Sequence, residues 1–389
     1  MSSHGASDAP VMEAGLLSPL RPDELVRYGR HLSLPGMGAA GQERLKAAKV
    51  AIVGLGGLGS PAALYLAAAG VGTLGLIDGD RVDVSNLQRQ VLYGDADVGR
   101  PKVDVASNKI AHQNPNVALE LYPNRLDSTN AIEVLERFDI ILDGSDNFPT
   151  RYLVNDATVL LGIPNVHGSV LRFEGRVSVF GVEGGPCYRC LYPEPPPPGV
   201  VQDCHDAGVL GVLPGLVGVL QATEVIKLIC GLGDTLAGRL LIVDGLGIRF
   251  QTFRVERDAH CPMCGTREIT SLVDYDAFCG EPSRSGGIVA LSPAAAAARL
   301  ASAQVIDVRE PWEWAICRLP GARLVPMSVL ESQMTTLDRA REVLVYCHHG
   351  TRSAAAVSRL LTAGFTRVSH LEGGIDRWSV EVDPGVTRY

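Results

Sequence analysis

At 389 residues the chain is too long for one typical core, so two domains are expected. Hydrophobic residues make up 46% and charged residues 20%, which fits a globular protein, and a formal net charge of −8 argues against nucleic acid or an anionic membrane surface as a partner. Nine cysteines, an odd number in a chain this large, favour metal binding and thiol chemistry in a reducing, cytoplasmic compartment over disulfide staples. Residues 1–19 have neither the basic nor the apolar region of a signal peptide and read as a disordered tail. The longest apolar run, Val209 to Leu220, is 12 residues and contains Pro214, short of the ~20 that span a bilayer.

Arg21 to Leu34 reads as a helix with Pro22 and Asp23 at its start, carrying Arg27, Arg30 and His31. An apolar strand, Lys49 to Val53, then meets Gly54-Leu55-Gly56-Gly57-Leu58-Gly59 and an alanine-rich helical run, Ser60 to Ala69. A second apolar run ends at Asp78, which completes a βαβ nucleotide-binding pattern: glycines that let backbone approach a phosphate, and an acid that accepts from ribose hydroxyls. NAD and ATP fit this much equally. Beyond it stand Asp80, then Asn86-Leu87-Gln88-Arg89-Gln90, then Pro101-Lys102. A hydride transferase has no use for an arginine and a lysine just past its ribose acid, whereas a triphosphate and its metal need cations there, so ATP is favoured over an NAD-dependent oxidoreductase. Gly94 to Lys102 is a near miss for a P-loop, rejected because Pro101 has no N–H to offer a phosphate. A further buried strand, Phe138 to Leu142, delivers Asp143-Gly144-Ser145-Asp146-Asn147 at its C-terminal end, where ligands bind in open α/β sheets.

The glycine loop, Asp78-x-Asp80, Ser85 to Gln90 and Lys102 resemble the adenylating enzymes of the E1 superfamily, closest to those that activate ubiquitin-like sulfur carriers for molybdopterin or thiamin synthesis. The resemblance implies an α/β fold with a Rossmann-like, mixed and largely parallel sheet over residues 20–268. It implies ATP bound by Gly54, Gly56, Gly57, Gly59, Asp78, Asp80, Asn86, Arg89, Gln90, Lys102 and Asn147, with Asp146 matching a Mg²⁺-linked acid. Arg27-Tyr28-Gly29-Arg30 matches a motif whose second arginine reaches the nucleotide of a neighbouring subunit, which makes Arg30 a candidate and a homodimer the expected assembly. The implied partner is a small ubiquitin-like sulfur carrier ending in Gly-Gly.

Two C-x-x-C pairs, Cys187/Cys190 and Cys261/Cys264, supply four thiolates for a tetrahedral Zn²⁺ with no open position, hence a structural site; nothing around them resembles the alternative, a redox pair. A stiff run, Pro195 to Gly199, leads to Cys204, a thiol on a loop before a helix expected from about Pro214 to Cys230. In the family this loop carries the cysteine that bonds to the activated carrier, although Asp203 and Asp206 beside it disfavour a thiolate.

Gly, Pro and Ser accumulate over residues 269–287 as in a linker, and residues 288–389 form a second, small α/β unit. Asp307-Val308-Arg309, the loop Cys347-His348-His349-Gly350-Thr351-Arg352 between a strand and a helix starting near Ser353, and Gly373-Gly374-Ile375-x-x-Trp378 together resemble a rhodanese module. Inward N–H groups and a helix N-terminus suit Cys347 to sulfur chemistry, with Arg352 closing the loop; a phosphatase-like loop would need one residue more. His348 and His349 line the loop, Arg318 stands where the family often has histidine, and Cys230, Cys279 and Cys317 read as incidental thiols. The whole chain thus resembles a fused adenylyltransferase and sulfurtransferase. The expected sequence is adenylation of the carrier, sulfur loading of Cys347 by a persulfide or thiosulfate donor, transfer to the carrier, and resolution by Cys204. The alternatives are an adenylating enzyme serving conjugation with a regulatory rhodanese module, or a scaffold with an inert one.

Overall fold

The computed structural model describes residues 19–196, 208–279 and 288–389; the expected N-terminal tail therefore falls, but for Pro19, outside the described residues. The described chain forms two compact units, one of residues 19–195 and 208–278 and one of residues 279 and 288–389 together with Pro196.

In the first unit the strands are β1 (Lys49–Val53), β2 (Thr73–Ile77), β3 (Ala118–Tyr122), β4 (Ile140–Asp143), β5 (Asn165–Leu171), β6 (Glu174–Phe180), β7 (Arg239–Asp244) and β8 (Arg249–Arg254), paired in the order β3-β2-β1-β4-β5-β6-β7-β8. The first five in chain order are parallel and the last three add antiparallel, so the sheet is mixed as expected. The apolar runs of β1 and β2 are buried because helices cover both faces of the parallel part. Strand order reverses direction between β1 and β4, which opens a crevice at their C-terminal ends.

One expectation about helices changes and another is extended. Arg21–Leu34 is not one helix but two, Pro22–Arg27 and Gly29–Leu32. Tyr28 leaves helical geometry at φ −97, ψ 13, its ring buried and its hydroxyl accepting from Asn114, and the next residue is the weak helix former Gly29. The helix expected from about Pro214 to Cys230 is present and starts two residues earlier, at Val212, so that it takes in the apolar run from Val212 to Leu220; at 19 residues it could by length and composition cross a membrane. It instead packs on β5, β6 and the Gly59–Ala69 helix, with Leu213, Val217, Val225 and Ile229 in the core.

The second unit has β9 (Val289–Leu291), β10 (Gln304–Asp307), β11 (Arg323–Leu324), β12 (Val343–Tyr346) and β13 (Val368–Leu371), all parallel, in the order β11-β10-β12-β13-β9. Every residue of β12, the central strand, is buried, and the helix Thr351–Thr362 follows it two residues earlier than the expected start.

Candidate functional site

The glycine loop and the Asp143–Asn147 loop meet at the C-terminal ends of β1 and β4. At Gly59 a Cβ would stand 1.9 Å from the Gly54 carbonyl oxygen, so only glycine lets the helix start this close to the strand it follows. Above this floor lies an open cleft. Gly54, Gly56, Gly57, Asp78, Asp80, Arg89, Gln90, Lys102, Asp146 and Asn147 line it; Gly59, Asn86 and Arg30 do not. Gly59 acts through backbone packing, Asn86 accepts the Arg89 and Gln90 N–H groups with its carbonyl, and Arg30 is exposed on its short helix.

Asp78 braces the loop: one carboxylate oxygen accepts from Leu55 N–H and the other from Asp80 N–H, both at 2.8 Å. Burial raises its pKa against the pull of Lys102. The Lys102 ammonium, buried at the start of the helix Lys102–Gln113, lies 3.8 Å from Asp78 and 3.1 Å from Asp80. Arg125 meets the other oxygen of Asp80 at 3.3 Å, and Arg89 donates to the Ser85 carbonyl at 3.0 Å. Burial works to raise the Asp80 pKa, yet Lys102 and Arg125 hold it below the usual carboxylate range. Gln90 is buried, and its Oε1 has no hydrogen-bond partner among the described residues.

The loop bearing Asp146 is clamped from beneath. Asp143 accepts from Ser145 N–H at 3.0 Å, from Ser145 Oγ at 2.6 Å and from the His167 ring at 3.0 Å. Burial keeps His167 below its usual pKa, which favours the neutral ring. Gln221 donates to the Asp143 carbonyl at 2.7 Å, and Arg151 to that of Ser145 at 3.3 Å. Asp146 itself is exposed at the cleft, while Asn147 caps the helix Phe148–Leu161 by accepting from Thr150 N–H at 2.9 Å. Sequence reasoning missed Arg125, Arg151, Gln221 and Pro214, which come from distant segments and carry no local motif.

The four cysteines of the two C-x-x-C pairs converge, all sulfurs within 4.8 Å of one another. Separations of 3.7 Å for Cys187–Cys261, 4.0 Å for Cys187–Cys190 and 3.3 Å for Cys190–Cys264 approach the ~3.8 Å edge of a tetrahedron with 2.3 Å metal–sulfur bonds. Met263 packs against the buried Cys187 and Cys261. The neighbouring Arg189 is anchored in the core: it makes a bidentate pair with Asp156 at 2.8 and 2.7 Å and lies over the Tyr152 and Phe278 rings, while Tyr275 donates to Asp156 at 2.7 Å. Cys204 lies outside the described residues.

In the second unit Cys347 directly follows β12, 1% exposed, its sulfur accepting from Gly350 N–H at 3.1 Å and Ser353 N–H at 3.3 Å. The loop rests on the Gly373-Gly374 turn: Ile375 and Asp376 N–H groups donate to the Cys347 and His348 carbonyls at 2.9 and 3.1 Å. A Cβ on Gly374 would come within 2.0 Å of the His348 oxygen, which is why this motif needs glycine. Arg309 is fully buried and closes on Asp307, with contacts of 2.6 to 3.1 Å. Arg352 closes on Glu313 through two bonds, 2.6 and 2.9 Å. The His348 ring stacks on His349 at 3.9 Å and on Tyr389 at 4.2 Å; burial and His349 push its pKa down to about 4. Arg318 lies over the Trp314 ring at 5.2 Å.

Comparison with known proteins agrees with both units. The ThiF family profile matches residues 28–263, and the rhodanese-like domain profile matches residues 292–381. The chain is 46% identical over 393 residues to a probable adenylyltransferase/sulfurtransferase MoeZ of Mycobacterium tuberculosis, covering 98% of each. It is 41% identical over 407 residues to the adenylyltransferase and sulfurtransferase MOCS3 of Mus musculus, covering 95% of this chain and 88% of that one. With the sulfur carrier protein adenylyltransferase of Thermus thermophilus it shares 54% identity over 264 residues, 66% of this chain and 97% of the relative. Among solved structures, that of the microcin C7 biosynthetic enzyme MccB with N-formylated MccA superposes with a TM-score of 0.56 at 25% identity, covering 61% of this chain and 75% of that one.

Proposed function

The chain belongs to the ThiF family and carries a rhodanese-like domain, and on that premise we propose that it adenylates a ubiquitin-like sulfur carrier and then supplies the sulfur. The carrier's C-terminal Gly-Gly carboxylate attacks the α-phosphate of ATP, forming acyl adenylate and releasing pyrophosphate. Arg89 and Lys102 balance the charge that builds on the phosphates, and the orphaned Oε1 of Gln90 accepts from the nucleotide. Arg30 of a second copy reaches the same nucleotide in a homodimer. Asp146, an exposed carboxylate at the cleft, fits the oxygen preference of Mg²⁺, which when bound would neutralise phosphate charge. The Cys187/Cys190/Cys261/Cys264 tetrahedron fits Zn²⁺ in a purely structural role.

Cys347, loaded as a persulfide, attacks the acyl carbon with its terminal sulfur, and AMP leaves. Cys204 then attacks the Cys347 sulfur of the acyl disulfide, so the carrier departs as a thiocarboxylate and a Cys204–Cys347 disulfide remains for a cellular thiol to reduce. The observation that carries the nucleotide half is Lys102, a buried ammonium beside the ribose-type acid Asp78, a placement that a triphosphate needs and a dinucleotide does not. Carrier-dependent exchange of labelled pyrophosphate into ATP tests it. Asp146→Ala should lower exchange roughly a hundredfold or more, and full exchange in that variant would remove the metal role.

A further inference from the structure

The guanidinium that closes the Cys347 loop is already matched by charge. Both terminal nitrogens of Arg352 point at Glu313, a carboxylate 2% exposed that also accepts from Glu310 N–H at 2.8 Å and from the Tyr389 hydroxyl at 3.0 Å. Tyr389 is held in turn: its hydroxyl accepts from Arg309 at 2.6 Å, and its ring lies nearly parallel to that of His348, at 7°. Arg309 is closed on Asp307, and Asp376, at the start of the helix Gly374–Glu381, is paired with Arg388 at 2.8 Å. Each of these guanidinium groups beside the loop therefore has its own carboxylate.

We propose that Glu313 is a specificity-determining residue of sulfur transfer: by neutralising Arg352, with Tyr389 holding it in place, it sets the loop against dianionic donors such as thiosulfate and in favour of alkyl persulfides. This rests on the reading of Cys347 as the sulfur-carrying thiol. Either donor transfers its sulfane sulfur to the Cys347 thiolate. The donor's S–S bond breaks, a new S–S bond to Cys347 forms, and the electron pair leaves with sulfite or with the alkyl thiolate; no oxidant is needed. The donors differ in charge. A dianion brought against a guanidinium already matched by a buried carboxylate loses hydration with little charge to replace it, whereas a persulfide brings a single charge on the sulfur that the loop N–H groups receive.

The test follows loading of Cys347 in the full-length protein by mass spectrometry, with thiosulfate and with N-acetylcysteamine persulfide as donors. The wild type should favour the persulfide by about tenfold or more in kcat/KM. Glu313→Gln, which keeps an acceptor for the Glu310 N–H, should raise kcat/KM for thiosulfate roughly tenfold, through KM, and change the persulfide value little. Adding Arg352→Gln should reverse that gain. A fall with both donors in Glu313→Gln, or a wild type that prefers thiosulfate, would overturn the proposal; the wild-type ratio decides alone if the variant does not fold. No adduct on Cys347 from either donor would instead overturn the reading of Cys347, and this proposal with it.

Discussion

The nucleotide cleft and the sulfur loop keep their positive charge in different ways. In the cleft, Lys102 and Arg125 share Asp80, whose side chain is 49% exposed, and Arg89 donates to a backbone carbonyl; the buried Asp78, 3.8 Å from Lys102, keeps the Leu55 and Asp80 N–H groups whatever Lys102 does. In the loop, Arg309 and Arg352 sit in bidentate pairs with carboxylates that are 0% and 3% exposed. A cation leaning on a half-exposed acid can pass to a phosphate while water takes over the acid. A cation withdrawn from a buried pair leaves its carboxylate bare, at a cost of about 3–5 kcal/mol. On the function proposed above, the cleft suits a highly charged ligand, and the loop would hold sulfur through its backbone N–H groups, its arginines already tied to carboxylates.

The sharpest way to break this contrast is to remove a cation from the cleft. Lys102→Ala should reduce pyrophosphate exchange by about 10²–10³-fold, with donor loading of Cys347 in the same preparation reporting that the second unit is intact. Exchange within a few-fold of wild type would mean that the cleft, like the loop, does its charge work without side-chain cations.

A smaller effect separates chemistry from architecture in the first unit. If the four-cysteine cluster only holds structure, Cys264→Ser should cost the protein its zinc and lower the Tm by on the order of 5 °C or more, because metal binding is part of folding there. Zinc-free wild-type protein, freshly purified under reducing conditions, would sink the assignment.

The smallest effect concerns the second unit. His348 titrates near 4 in the fold and near its usual 6.5 when unfolded, so the unfolded state binds the extra proton between those values. The stability this group contributes is present above pH 6.5 and is lost as pH falls towards 4. Tm measured across that window should decline, and His348→Gln should show a shallower decline than wild type.

What the sequence disclosed follows the range of the interactions. Gly54–Gly59 and Cys347–Arg352 were legible because each is one contiguous loop whose glycines and N–H groups do the work locally. The two C-x-x-C pairs were legible as a set because zinc chemistry fixes the ligand count in advance. Glu313, Tyr389, Arg125 and Arg189 were not, since the site-forming contact of each is with a partner 33 to 76 residues away. The split of the first helix at Tyr28 was hidden for the same reason: Asn114, 86 residues on, draws the tyrosine hydroxyl inward. Glu313 stands four residues beyond Arg309, in a stretch whose recognised motif ends before it.

The central claim is that the sulfur reaching the activated carrier is the one carried on Cys347. It is tested most directly by loading the enzyme with ³⁴S on Cys347, removing the donor, and adding carrier and MgATP in a single turnover. The account predicts ³⁴S in the carrier's C-terminal thiocarboxylate, and for Cys347→Ala a carrier adenylate that forms but acquires no sulfur. A thiocarboxylate free of ³⁴S, or one made equally well by Cys347→Ala without added sulfide, would contradict it.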